Sequence, residues 1–585
     1  MKKLHILLLA ILLSAPVYAQ IDPTVVVDRE FEGKIDVDVR MPQTPLTVAD
    51  SLKKFDVSFD YSIFDRPFRD LYEFSPYQAA SLGVVPPKAV PHFSARVASQ
   101  YPLMPEVDLF GQLVPKKNPN VNFGLFVKYA SEAGKIPAMN QYIGKLDARR
   151  LRMSAGAFFK YAWEKGELSL LGSYRTSYAR DKSEVHESFA PTNVVQDSAK
   201  HIVNAYEADF KIRSTNVKDH EFYYDIDASF VRSAKDLKYR LPDFDPYNFS
   251  ETALNIDAEF GSSFDEHRMY VDVRSQNNWY DQLGGYYLGI IEFAPIYRYS
   301  KGRFDGRFGI RFSNSFAGDN STSIYPDVDA KFELAENKLW IRAVANGGRN
   351  IDNLGFHLET APWLMMGLNG GLPGSIQTNA EPFKMRYTTR PIDAKISFEG
   401  IIGSRLGINV YGTYTSFKDR MLLYSGQFYQ SLPFVYPEFV DYAKLSAGVE
   451  LTWTSKDLRV FTSVQGNKYN SESPLFMLPK IESLSQIEYN FKERLFLSAA
   501  MVIQGERESF YGMVPYFIVS VPVMQDSQIG RVPAYLDISA KAEFKVNRFF
   551  SVYVKGGNLL NKENYIFAGI GSMPINGGGG ICINF

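Results

Sequence analysis

The stretch Tyr206-Glu207-Ala208-Asp209-Phe210-Lys211-Ile212-Arg213 alternates without a break between apolar and charged residues. A period of two marks a β-strand, because successive side chains point to opposite faces. One face carries Tyr206, Ala208, Phe210 and Ile212, and the other carries Glu207, Asp209, Lys211 and Arg213. The next strand repeats the pattern: Phe222, Tyr224, Ile226, Ala228 and Phe230 oppose Asp225, Asp227 and Ser229. In both directions the alternation returns, at 168–178, 254–260, 269–273, 304–312, 328–334, 339–345, 406–414, 445–453 and 536–544. From about residue 91 onward the chain reads as all-β.

Alternation alone also fits a soluble sandwich, and three features separate the two. These strands run to roughly ten residues, the span a tilted membrane strand needs. Short turns (Glu164-Lys165-Gly166, Glu336-Asn337, Ser455-Lys456, Lys492-Glu493) alternate with long connections at 179–203, 233–251, 346–389, 418–441 and 505–533. Membrane barrels have this asymmetry, with short periplasmic turns and long outer loops. Finally, Trp163, Trp453, Phe491 and Phe544 each stand on the apolar face just before a short turn. Amphipathic rings favour the membrane–water boundary, so these four are expected at one membrane interface. The count is about 22 strands, an even number as a closed single-chain barrel requires.

The ends of the chain agree. Lys2 and Lys3, the apolar run 4–13 and Val17-Tyr18-Ala19 form a signal peptide with cleavage expected before Gln20. The last strand ends on Phe585 and resembles the C-terminal signal read by the outer-membrane insertion machinery. The reading is therefore an integral barrel in the outer membrane of a Gram-negative bacterium, with outer-membrane lipid and that machinery as partners. Removing Lys2 and Lys3 takes the formal charge from −1 to −3, which excludes a nucleic-acid binder. A single cysteine, Cys582, excludes an intramolecular disulfide and a thiolate metal site.

Residues 20–90 differ from the rest: they mix charge, proline and an aromatic cluster at Phe64, Phe68, Tyr72 and Phe74. They read as a periplasmic or lumenal extension ahead of a barrel over 91–585.

The barrel resembles those of TonB-dependent receptors, the active importers of the outer membrane. Asn558-Leu559-Leu560-Asn561 followed by Tyr565 is similar to a segment near the end of those receptors, and the hairpin 325–340 is similar to their central strands. The resemblance implies transport. Those receptors also carry a globular plug of well over a hundred residues, and residues 20–90 are too short for one. Asp22-Pro23-Thr24-Val25-Val26-Val27 faintly resembles the segment that engages their energising partner. A β-branched run suits strand addition to a partner's sheet.

No catalytic cluster, cofactor motif or metal-ligand set emerges, so an enzyme is not expected. Asp225 and Asp227 face the same way, a pattern that fits either a bound cation or pairing with Lys211 and Arg213, and pairing is the expectation. His186 and His201 are expected in one outer loop. Gly577–Gly580 is expected to ease entry into the last strand. The longest loop, 346–389, holds His357, Trp363, Met365 and Met366, an adaptable set for ligand recognition. An alternative is that this loop folds inward and narrows the pore. A lumen of about 22 strands is wide enough that something must obstruct it: the extension, inward loops or a partner protein. The expected function is solute transport. The alternative is a non-transporting scaffold or assembly subunit of an envelope complex.

Overall fold

In the computed structural model the described residues are 92–137, 145–183, 200–215, 217–238, 249–281, 285–317, 320–364, 384–428, 433–511, 513–514 and 528–585. The signal peptide, the extension 20–90 and the segment Asp22–Val27 lie outside them.

The barrel strands, in chain order, are β1 (Phe93–Tyr101), β2 (Glu106–Leu113), β3 (Val121–Pro137), β4 (Lys145–Trp163), β5 (Gly166–Ser183), β6 (Lys200–Ser214), β7 (Phe222–Lys238) and β8 (Phe249–Phe264). Next come β9 (His267–Tyr280), β10 (Tyr286–Lys301), β11 (Phe304–Ser315), β12 (Ser321–Ala335), β13 (Leu339–Ile351), β14 (Tyr387–Ile402), β15 (Leu406–Phe428) and β16 (Pro433–Thr454). The last six are β17 (Leu458–Asn470), β18 (Ile481–Phe491), β19 (Leu495–Gln504), β20 (Tyr535–Lys545), β21 (Phe550–Gly557) and β22 (Asn576–Asn584). Each pairs antiparallel with the next, and β22 returns to β1 from Ser94↔Asn584 to Tyr101↔Gly577. That last ladder closes a 22-stranded barrel with no free edge, as the sequence predicts.

The two faces of the wall follow the sequence parity. Tyr206 is 57% exposed on the outside, whereas Lys211 on the inward parity of the same strand is 7% exposed. Inward charges are buried in pairs. Lys211 Nζ lies 2.8 Å from Asp227 and 3.2 Å from Asp225, so the two aspartates serve a strand-to-strand ion pair. Arg311 donates to Asp272 (2.8 Å), Asp327 (2.7 Å) and Glu292 (3.3 Å). Such groups are retained only when satisfied, because an unpartnered buried charge is costly.

The short turns are tight. Lys492 and Glu493 both have positive φ, as a type I′ turn demands. Gly577–Gly580 does more than ease entry. A Cβ on Gly578 would lie 2.0 Å from the Ser99 carbonyl oxygen, so the β1–β22 seam requires glycine for close backbone approach.

Candidate functional site at the loop mouth

Beyond the end of β13 the chain leaves the wall. Asn353 caps a short helix, α1 (Leu354–Thr360), its side chain accepting from the Phe356 amide at 3.0 Å. Leu354 and Leu358, one turn apart, are buried on one face. This helix lies within the stretch expected as a loop, although Asn353 ahead of a Leu354/Leu358 spacing is a start signal for one.

This segment docks on strands far from its own. The amide of Gly355 donates to Glu251 of β8 at 2.8 Å. After the helix, Lys235 of β7 donates to the carbonyls of Pro362 (2.8 Å) and Leu364. Arg175 of β5 donates to Glu359 at 3.2 Å. Asp352, just before the helix, accepts from Arg420 of β15 at 2.7 Å and from Thr388 of β14 at 2.7 Å. The guanidinium of Arg150 on β4 lies 4.8 Å from the Trp363 ring and donates to the Gly571 carbonyl at 3.1 Å. Leu364 makes a parallel bridge with Val435 of β16. Residues 352–364 are thus tied to strands from both sides of the ring.

Other connections join them. The stretch 476–478 and the hairpin Tyr565–Phe567 with Ile570–Gly571 enter the same buried apolar cluster as Leu354, Leu358, Trp363 and Leu364. Leu288 and Ile290 of β10, Met421 and Leu422 of β15, and Tyr442 of β16 complete it from the wall. Arg507 donates to the carbonyls of Ile566 (3.2 Å) and Tyr565 (2.5 Å).

Of the four residues proposed from the loop 346–389, His357 lies on α1 and Trp363 is buried in the cluster. Met365 and Met366 lie outside the described residues. Burial lowers the His357 imidazole to about 4, against the opposing pull of Asp352. Burial raises the Glu359 carboxyl, with Arg175 pulling the other way.

The receptor-like motif is a turn. Asn558 and Asn561 have positive φ, a conformation asparagine tolerates. The Asn558 side chain accepts from the Lys562 amide (3.0 Å) and donates to the Met573 carbonyl (3.1 Å), and Asn561 accepts from the Ile575 amide (3.0 Å). Leu559 and Leu560 are exposed, whereas Tyr565 is buried in the cluster. The motif therefore launches the hairpin at 565–571 into the mouth.

Trp163 ends β4 and Phe491 ends β18, while Trp453 and Phe544 stand one residue from the ends of β16 and β20. All four flank short turns, and Trp453, Phe491 and Phe544 are exposed. Phe585 stacks on Phe549, with ring centroids 5.4 Å apart. His201 departs from expectation: it lies on β6, buried, and not in a loop, while His186 falls outside the described residues. Asp219, His220 and Asp265 are the one grouping of metal-ligating side chains found among the described residues. They are exposed, and Asp219 already accepts from the Asp265 amide at 2.9 Å.

No family model and no curated relative matches the sequence. Solved structures do match. The copper transporter OprC aligns over 86% of this chain and 84% of its own, with TM-score 0.59 and 9% identity. The FrpB iron transporter from Neisseria meningitidis aligns over 85% and 82%, with TM-score 0.60 and 10% identity. The ferripyoverdine receptor of Pseudomonas aeruginosa aligns over 87% and 74%, with TM-score 0.57 and 11% identity. The barrel has the fold of the outer-membrane TonB-dependent receptors.

Proposed function

We propose that the protein is a transport barrel of the outer membrane whose outer mouth is closed by its own inward-folded loops. The observation that carries this reading is the apolar cluster in which 352–364, 476–478 and 565–570 meet strands from opposite parts of the ring. Long loops at one end and short turns at the other support assigning that cluster to the outer side. Trp163, Trp453, Phe491 and Phe544 then mark the inner membrane boundary, and Phe585 serves as the assembly signal. The cargoes named for the similar structures range from copper to ferripyoverdine, so the shared fold selects none of them. The fold supports a transporter and not an enzyme.

The test is permeability in whole cells. Replacing 353–364 by a short glycine-serine linker is expected to sensitise cells to large antibiotics that the outer membrane normally excludes. An unchanged permeability with this variant, and also after deletion of 20–85, sinks the transporter reading. Co-purification of envelope proteins in mild detergent would then favour the scaffold.

A further inference from the structure

The rim at the short-turn end is electrostatically divided. On one side, the turns leading into β7 and β9 carry Asp219, Glu221, Asp265 and Glu266 against Lys218, with Glu221 and Glu266 paired to Lys165 and Lys301. On the other, the three turns joining β18 to β19, β20 to β21 and β2 to β3 present Lys492, Arg494, Arg548, Lys116 and Lys117, all exposed. Glu493 is the one acidic side chain in those three turns, and Lys545 turns inward over Phe496.

These turns are neighbours in space. The amide of Lys545 donates to the Arg494 carbonyl (2.8 Å), that of Asn584 to Phe549 (2.8 Å), that of Phe585 to Phe93 (2.8 Å), and that of Gln112 to His92 (2.7 Å). The arc from β18 round the seam to β3 is therefore one continuous edge. Two of its cations lie against outward-facing rings. Lys492 Nζ lies 5.1 Å from the centroid of Phe491, and the Arg548 guanidinium lies 4.4 Å from that of Phe549. Phe549 stacks in turn on Phe585, which neighbours Phe93 at 6.4 Å. Exposed rings with charged groups laid over them put apolar surface at acyl-chain depth and positive charge at headgroup depth.

We propose that this arc binds the phosphate headgroups of anionic phospholipids in the inner leaflet of the outer membrane. The choice of a lipid over a soluble acidic protein rests on the outward rings, which a protein binding only the turns would leave uncovered. Basic clusters at a membrane boundary are attracted to anionic headgroups, each cation adding a modest and salt-sensitive increment. The inference depends on the membrane location of the barrel. Failure of that location would appear separately, as a chain that stays soluble without detergent.

The experiment is native mass spectrometry of the full chain in mild detergent, offered equal amounts of phosphatidylglycerol and phosphatidylcholine. The wild type is expected to retain phosphatidylglycerol with a roughly tenfold preference. The K492Q/R494Q/R548Q variant is expected to lose most of it. A control, K301Q/R303Q/R405Q, removes three cations from other turns of the same rim and is expected to keep the preference. Heat-modifiable gel mobility confirms that both variants are folded barrels. Equal retention of the two lipids by the wild type overturns the proposal and leaves an acidic periplasmic protein as the occupant to seek. So does an equal loss in the control. Displacement of the lipid by millimolar inorganic phosphate would also overturn it, because the arc would then be reading phosphate alone.

Discussion

Asp352 opens the segment that crosses the mouth, and its carboxylate receives Arg420, Thr388 and Asn350. Burial acts to raise its pKa, but Arg420, His357 and the hydrogen bonds from Thr388 and Asn350 together outweigh this and hold the carboxyl below the usual range. Asp352→Asn removes that charge from a buried pair, at a cost on the order of 3 kcal/mol. The expected result is faster hydrogen exchange across 352–364 with the strand amides unchanged. His357 gives the same segment a pH dependence. Its folded pKa, about 4, lies below its unfolded value near 6.5, so the neutral ring contributes stability that is complete above about pH 6.5. That contribution falls away as pH drops toward the folded value. Glu359, raised by burial, titrates in the opposite sense, so the informative quantity is the difference between wild type and His357→Gln. The protection factors of the segment, which correct for the slower intrinsic exchange at low pH, should fall between about pH 6.5 and 4 in the wild type, and less so in the variant. An identical pH response in both would show that His357 does not set the pH dependence of the segment. At this scale the sequence was legible where one face met water or paired charge and the other met lipid, as at Lys211 with Asp225 and Asp227. It misled at His201, whose neighbours Val203 and Ala205 are inward yet apolar because the mouth cluster or its margin covers that end of β6.

The same cause explains which elements were read short. In β10, Leu288 and Ile290 are buried inward while Ile291 and Phe293 are exposed outward, so both faces are apolar and the alternation disappears. The outer ends of β8 and β9 extend past the stretches 254–260 and 269–273 for which period two was clear. The helix α1 was hidden because about two turns of helix, with the single Leu354/Leu358 spacing, offer too short a period to stand out in a long loop. Its function as a strut tests simply: Lys235→Met removes the donor to Pro362 and Leu364, and should loosen 361–364 by about 1–3 kcal/mol. A second element-scale prediction concerns the seam. Gly578→Ala places a Cβ against the Ser99 carbonyl and should reduce the heat-resistant folded band on gels, whereas Gly172→Ala, with nothing within 4 Å, should leave it intact. Equal bands for both would show that the seam tolerates side chains there.

For the molecule as a whole, strand parity, turn asymmetry and strand number were all present in the sequence, because a membrane wall imposes a two-sided chemistry on every strand. The packing of loops at the mouth was not, since it depends on which residues meet across the ring, and loops encode no periodicity that announces such contacts. The motif at 558–565 pointed to the receptor barrels, while its structural consequence, a hairpin packed in the mouth, appears only in three dimensions. Closure of the lumen by the outer loops, as proposed, is open to a direct test by single-channel conductance in planar bilayers. A quiet full-length chain is expected, with a large, steady conductance once 353–364 is replaced by a flexible linker. A linker variant that stays silent, with conductance appearing only on deletion of 20–85, would contradict it and assign closure to the N-terminal extension.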